Sequence, residues 1–393
     1  METPNSKSFI DKLDYGILFI LFLLSIISLM FIYSGQQSGQ YNDNFVPKQI
    51  FWYTLSTILM LAIARLDFEQ LKRMSWYFYG IVLFFIVMLI FAPESIAKPI
   101  NGSKAWYQLP FLGSFQPSEF MKIALILVLS NIVESHNYQY IQRTIRSDLY
   151  LIYKMGLASL APVIFVAIQP DSGMIMLYLS IILSIIFISG VSWKIILAVI
   201  SLPSIVLTAL IVIYFKFNDF FQTKLLVLLL PHQRSRINGW LNPFEYTDQG
   251  YQTKQAITAI GSGWYSGKGW MEGIMYVPEA HTDFIFSIIG EDTGFLGTSI
   301  VVSLFFLLIY KIVILGVKSN YSFGGYMCSG IIGLLSFQIF QNVGMNIGLL
   351  PVTGVTLPFL SYGGSSLLSN MMLMGIVLGV SVQTNRYMFE IDQ

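Results

Sequence analysis

The chain has 393 residues, 55% of them hydrophobic and only 11% charged, with a formal net charge of +1. That balance excludes a soluble multidomain protein, and a net charge of +1 without a basic tract argues against nucleic acid as a partner and against a polybasic membrane clamp. The single cysteine, Cys328, leaves no internal disulfide and no cysteine metal site, and His136, His232 and His281 lack metal-ligand spacing.

Uncharged apolar runs near the length that crosses a hydrocarbon core recur along the chain, the clearest at 15–33, 74–92, 174–190 and 195–215. Runs interrupted by charge or glycine lie at about 47–64, 117–133, 149–169, 283–310, 326–349 and 358–382. The expectation is an all-α, polytopic integral membrane protein with about ten transmembrane helices in a single membrane-embedded domain, 1–393. The first span is apolar over 19 residues with no small-residue cleavage site after it, so it is expected to stay in place. Lys7 and Lys12, then Arg65, Lys72 and Arg73, then Arg143, Arg146 and Lys154, then Lys194, Lys311, Lys318 and Arg386 fall on one side. The positive-inside rule makes that side, and both termini, cytoplasmic, and it leaves one long extracellular loop at about 216–282.

Three polar regions gather at the extracellular side, where each ionisable group at membrane depth is a functional candidate. The first is Asn101-Gly-Ser-Lys104-Ala-Trp106 followed by Gln116-Pro117-Ser118-Glu119-Phe-Met-Lys122. Pro117 and Ser118 suit a helix start, and Glu119 and Lys122, three apart, share a face near its positive end. A cap and a local ion pair account for these residues as well as a ligand does. The second is the long loop, where Phe220, Phe221 and the run Leu225 to Leu230 precede Pro231, Arg234, Arg236 and Trp240. A six-residue apolar run is too short to span, so a helix in the outer leaflet is expected, with arginines at headgroup level.

Gly261-Ser-Gly263-Trp264-Tyr-Ser-Gly267-Lys268-Gly269 then offers flexible backbone and one cation, which suits a ligand or a plain loop equally. The loop ends in Val277-Pro278-Glu279-Ala280-His281-Thr282-Asp283-Phe284-Ile285-Phe286, where any one of His281, Thr282 and Asp283 can cap the helix that follows. Glu279 and Asp283 bring two carboxylates to the outer boundary, where desolvation makes a carboxylate a better base. Glu291 and Asp292 lie two turns further in, where positioning the helix or satisfying a neighbouring span explains them as well as substrate contact does.

The third region runs from Gln341-Asn342-Val-Gly344 through Gly348-Leu-Leu-Pro351-Val-Thr353-Gly354 to Pro358-Phe-Leu-Ser361-Tyr362-Gly363-Gly364-Ser365-Ser366. Glycine and proline at this density between hydrophobic halves predict a broken, re-entrant segment. Such backbone is tolerated at membrane depth only when it is buried in protein or lines a cavity.

On these motifs the sequence resembles the SEDS family (shape, elongation, division and sporulation) of cell-wall glycosyltransferases, over essentially its whole length. The run Pro278 to Phe286, the run Asn342 to Ser365, Gln116-Pro-Ser-Glu119 and Asp11-Lys-Leu-Asp14-Tyr carry the likeness. It is more similar to the elongation member, RodA, than to the division member, FtsW, because the linker from Gly269 to Pro278 is short and the N-terminal tail brief. The resemblance implies polymerisation of lipid II, a disaccharide-pentapeptide on undecaprenyl pyrophosphate, outside the cytoplasmic membrane, with inversion at the anomeric carbon.

Asp283 matches the family's catalytic aspartate, a general base for the acceptor hydroxyl. Lys104, Glu119, Lys122, Lys268, Glu279, His281, Asn342, Ser361, Gly363 and Gly364 become substrate-binding candidates, the lysines for the pyrophosphate. A divalent cation, Mg²⁺ or Mn²⁺, would bridge its oxygens. One departure stands out, since many members carry Arg before the tryptophan that matches Trp106, whereas here Ala105 precedes it and Lys104 lies one place earlier. The implied partners are lipid II, the growing glycan strand, membrane lipid and a class B penicillin-binding protein. Two rival readings remain, a lipid II carrier and a scaffold for that transpeptidase. Polar residues confined to one boundary favour the enzyme over a carrier working at the midplane.

Overall fold

The computed structural model describes residues 8–37, 44–99, 103–109, 113–229, 231–245 and 250–387. Lys7, Asn101, Gly102 and Leu230 lie outside the described residues, as do the side chains of His232 and Arg386. Long helices dominate: α1 (Tyr15–Gln37), α2 (Phe45–Ile63), α3 (Phe68–Phe91), α4 (Pro117–Gln139), α5 (Ile145–Ile168), α6 (Ser172–Ile188) and α7 (Trp193–Lys216). After α7 come the single turn α8 (Asn218–Phe220), α9 (Pro231–Leu241) and α10 (Tyr251–Ser262), then α11 (Ile285–Lys318), α12 (Ser322–Asn346) and α13 (Gly364–Tyr387).

Eight of these are long and apolar enough to cross a membrane. Two more, α6 with 17 residues and α4 with Glu119, Lys122 and Glu134, complete the ten spans expected from the apolar runs. The protein is therefore an all-helical, multi-pass membrane protein. Its one pair of β-strands among the described residues is a hairpin, Tyr107–Leu109 (β1) antiparallel to Gly113–Phe115 (β2). The pattern of spans could not reveal it, because what pairs the strands is local: Tyr107 faces Phe115 and Gly113 supplies a φ of 79° at the turn.

Helix starts follow local chemistry. Thr144 and Ser147 form reciprocal cap bonds at α5, Asp67 and Gln70 do so at α3, and Asp171 Oδ1 accepts from the Met174 amide at 3.1 Å to open α6. Pro117 at the first turn of α4 has no N–H to leave unsatisfied. From Pro117 to Ser130 every residue of α4 is buried, so this helix sits at the centre of the bundle, packed by α3, α5, α6, α12 and α13. The outermost element is α7, where only Ile195 and Ile196 are buried. An apolar helix with nearly all its side chains on the outside is stable only against lipid.

The ten helices alternate in direction, so the turns carrying Arg65, Lys72, Arg143, Arg146, Lys194 and Lys318 fall at one end of the bundle. The first and last described segments meet there, with Ser381 Oγ donating to the Lys12 carbonyl at 3.1 Å. The opposite end carries the hairpin, the 217–284 segment and the 347–363 segment. A satellite core of Ala256 and Ala259 from α10 with Val277, Ala280 and Phe284 folds the long segment back onto the helix ends. The helix expected to lie in the outer leaflet takes another form: α8, a π turn at Phe221–Leu225 and a 3-10 turn at Leu226–Leu228 continue from the end of α7.

Candidate functional site

Between α12 and α13, residues 347–363 have no regular helix, yet the surrounding spans bind their carbonyl groups. Ser28 Oγ of α1 donates to Leu360 O at 2.7 Å, Tyr53 of α2 to Phe359 O, and Gln49 Nε2 to Ser361 O at 3.4 Å. From α12, Gln338 Nε2 reaches Thr356 O at 3.0 Å, Gln341 Nε2 reaches Pro351 O at 3.0 Å, and Asn342 Nδ2 reaches Val355 O at 2.8 Å. Polar side chains on three helices thus replace the helical ladder that this segment forgoes, which is the condition for irregular backbone at membrane depth.

That rigid segment forms one wall of a cavity of about 350 Å³. Thr353, Gly354, Val355, Thr356, Tyr362, Gly363, Gly364, Ser365 and Ser366 line it from this side. The other walls are Trp106 and Ser114 of the hairpin region, Gln116 and Glu119 at the start of α4, and Asp171 to Met174 at the start of α6. Arg236 of α9 and the turn Glu279, Thr282 and Asp283 close it. Four helix starts or turns therefore present polar groups to one space, with an apolar floor at Leu177.

Asp283 is half-buried beside Gly354, whose missing side chain leaves room: a Cβ there would sit 3.5 Å from Oδ2. The backbone of Asp283 is held from behind, with Asn342 Nδ2 at 2.8 Å and Asn346 Nδ2 at 3.2 Å from its carbonyl oxygen. Burial pushes the Asp283 carboxyl up to about 7; nearby Glu279 and Asp171 add to the rise and Arg236 opposes it. Burial likewise pushes Asp171 up to about 6, opposed by the Met174 amide, while Glu119 raises it further and Arg236 and Gln116 Nε2, 3.0 Å from Oδ2, lower it. Around neutral pH the cavity therefore holds a carboxylate poised to accept a proton, the property a general base needs.

The expected residues separate into two groups. Asp283, Glu119, Glu279, Gly363 and Gly364 line the cavity, and Ser369 Oγ steadies Glu119 at 2.9 Å. The others do not reach it. Lys122 lies fully buried behind Glu119 and pairs with it at 2.5 Å. Lys104 caps α3, donating to Ala92 O and to Ile90 O at 3.3 Å, since carbonyls at a helix end attract a cation. Lys268 pairs with Glu291 at 2.7 Å, away from the cavity.

His281 stacks on Phe45 at 4.3 Å, with burial lowering its pKa to about 4, so its ring is neutral. The carboxamide of Asn342 is directed at backbone carbonyls, and Ser361 Oγ accepts from the Leu357 amide at 2.8 Å. These three are positioning residues for the wall. Similarly, the glycines at 263 and 267 serve a close backbone approach: a Cβ on Gly263 would meet Gly290 O at 1.9 Å and one on Gly267 would meet Asp292 O at 2.1 Å. They dock on α11 where it breaks at Gly294 (φ 64°, ψ −153°).

Two residues escaped the sequence reading. Asp171 opens α6 after Gln169-Pro170 as Glu119 follows Gln116-Pro117, and that repeated proline-acid start at one end of two spans was the available signal. Arg236, expected at headgroup level, turns into the cavity because α9 docks on the end of α12, with Trp240 Nε1 donating to Gly348 O at 3.1 Å. It is the one lysine or arginine among the described residues lining the cavity, against four carboxylates.

A ten-span bundle with a carboxylate-lined cavity at one end gives a membrane-embedded protein a site for acid–base chemistry. Comparison with known proteins agrees. Residues 12–386 match the family described as cell cycle protein, of FtsW, RodA and SpoVE. The chain is 32% identical to the peptidoglycan glycosyltransferase MrdB of Escherichia coli K12, covering 98% of each chain. It is also 32% identical to the probable peptidoglycan glycosyltransferase FtsW of Coxiella burnetii, covering 93% of this chain and 94% of that one. Among solved structures, a chain of a peptidoglycan synthase complex described as coordinating polymerization and crosslinking superposes with a TM-score of 0.73 at 26% identity, covering 95% and 98%. The rod shape determining protein RodA of Thermus thermophilus shares the fold, with a TM-score of 0.66 at 24% identity over 94% and 96%.

The chain belongs to this FtsW/RodA/SpoVE family, the SEDS proteins, and is a peptidoglycan glycosyltransferase.

Proposed function

We propose that the protein polymerises lipid II into glycan strands at the outer face of the cytoplasmic membrane during cell elongation, with Asp283 as the general base. The observation that carries the reading is the placement of Asp283, poised near neutrality on a cavity wall fixed by Asn342 and Asn346. In a single inverting displacement, its carboxylate takes the proton of the acceptor hydroxyl as that oxygen attacks the anomeric carbon, and undecaprenyl pyrophosphate departs. No second, nucleophilic carboxylate is needed.

Arg236 faces the leaving pyrophosphate as a planar, always-charged donor, the role assigned by charge to Lys104, Lys122 and Lys268 in the sequence. Glu119, Glu279, Gly363 and Gly364 contact the sugars and the diphosphate path. Four carboxylates and one arginine leave the cavity negative, an unfavourable host for a pyrophosphate alone. Among the described residues no three His, Cys, Asp or Glu side chains converge into a cage. Mg²⁺ typically binds one or two carboxylates and completes its shell from substrate phosphate and water, so Asp171 would suit it and leave Asp283 free as the base; it would neutralise the departing diphosphate.

The polymerase reading is favoured over a lipid II carrier because the cavity sits at one end of the bundle and not at mid-depth. The positive-inside rule puts that end outside. Crosslinking would fall to a partner, a class B penicillin-binding protein. Purified protein incubated with lipid II and Mg²⁺ is expected to yield glycan polymer, and Asp283→Ala none. Translocation of lipid II across vesicles without polymer, unchanged in Asp283→Ala, would overturn the reading.

A further inference from the structure

An unpaired buried polar group costs its desolvation, so folded proteins keep few of them and each exception calls for a physical reason. Two side chains lining the large cavity are such exceptions. Thr353 is 9% and Gln338 1% exposed, and neither Thr353 Oγ1 nor Gln338 Oε1 has a hydrogen-bond partner among the described residues. No other side chain among the described residues that line this cavity holds a buried atom of that kind. The two differ in what they lack. Gln338 Nε2 is committed to Thr356 O at 3.0 Å, so Oε1 of the same carboxamide is left as an acceptor, whereas the Thr353 hydroxyl has a proton to donate. The backbone beside them is tightly packed, since a Cβ on Gly173 at the start of α6 would stand 2.9 Å from Thr353 O. Met174 and Leu177, which follow on α6, add buried apolar surface to the same cavity.

Resting on the polymerase reading, we propose that Thr353 and Gln338 form a subsite for the 2-acetamido group of the sugar whose anomeric carbon is attacked, and so select N-acetylated substrate. A secondary amide brings one N–H and one C=O. The N–H meets Gln338 Oε1, the C=O accepts from the Thr353 hydroxyl, and the methyl group lies on Met174 and Leu177. The sugars of peptidoglycan carry this group at C2, next to the anomeric carbon. Thr353 adjoins Gly354, which lies against Asp283, so an amide held at Thr353 brings the reacting carbon to the base. A water molecule would pair with the same atoms but leave the apolar side of the subsite uncovered. A site built this way rejects a substrate lacking the amide, because its own buried groups are then left unpaired.

The test is polymerisation by the purified full-length protein of lipid II and of two analogues. One carries a hydroxyl in place of the acetamide on the pyrophosphate-bearing sugar, and the other has a shortened stem peptide. Wild type is expected to use the 2-hydroxy analogue about 10²-fold less well than lipid II in kcat/KM. Thr353→Val, which keeps the shape, should lower kcat/KM about tenfold on lipid II and on the short-peptide analogue, and match wild type on the 2-hydroxy analogue. Thr353→Ser, which keeps the hydroxyl, should stay near wild type on lipid II. Because Thr353 Oγ1 has no partner to lose, the valine variant should melt no lower than wild type. A valine variant that polymerises lipid II like wild type would mean that the subsite holds a water only and would overturn the proposal. So would a loss of equal size on the 2-hydroxy analogue, a loss that vanishes with the shortened peptide, or a lower melting temperature. No polymer from wild type on lipid II would sink the polymerase reading instead, so the two failures are distinguishable.

Discussion

Two glycine-rich stretches, 261–269 and 347–364, look alike in the sequence and do different work. The first uses glycine to bring two backbones together: Lys268 N donates to Glu291 O at 3.0 Å and Gly269 N to Asp292 O at 3.1 Å, so the loop braces the break in α11. The second is held away from its neighbours by side chains of α1, α2 and α12, and the surface it presents is the cavity wall. Glycine by itself says only that a side chain would not fit. Whether the excluded space belongs to another backbone or to a ligand depends on the partner the fold brings up.

That contrast predicts that damage to the wall and its facing residues lowers activity per folded molecule, while damage to the brace lowers stability. Apart from Asp283 itself, the largest effect is expected at Arg236, where Ala should lower kcat/KM about 10²-fold or more with little change in melting temperature, as for loss of a donor to developing charge. Gly263→Ala comes next: it forces a methyl group into Gly290 O and should cost about 1–3 kcal/mol in unfolding, with kcat of the surviving folded fraction near wild type.

Asn342→Leu leaves the Val355 carbonyl without its side-chain donor and the Asp283 carbonyl with Asn346 alone, and should cost about 1–2 kcal/mol while also lowering kcat, because the base loses part of its support. Smallest is Gly354→Ala, at a φ of 75° and in ordinary contact with Asp283; about 1 kcal/mol of strain is expected, with a fall in kcat of less than tenfold. A brace variant that lost kcat and kept its stability, or a wall variant that did the reverse, would break the comparison.

How much was legible beforehand follows the same division. The spans could be read because apolarity over about 20 residues is a local property, and even α4, with its three charges, began in a visible run. Asp283 and the 342–366 segment stood out because polar groups and glycines clustered along the chain. What stayed hidden was pairing across the chain. Lys268 and Lys122 have the charge that a pyrophosphate site needs, but Glu291 and Glu119 take them up. Arg236 and Asp171 reach the cavity only because α9 folds over α12 and because α6 starts beside α4. The RodA-like subfamily reading is not resolved by relatives, since proteins named MrdB and FtsW match at the same 32%.

The central claim is that Asp283 is the base, and the pH dependence of polymerisation tests it most directly. A carboxyl raised to about 7 in the free enzyme is protonated and inactive well below that pH, so the kcat/KM of wild type on lipid II should rise with pH through about 7 and then level off. Asp283→Asn, with the same shape and no basic oxygen, should lose about 10²- to 10⁴-fold at the plateau and lose that limb of the profile. An Asp283→Asn protein that polymerises at the wild-type rate, or keeps the limb near pH 7, would contradict the account.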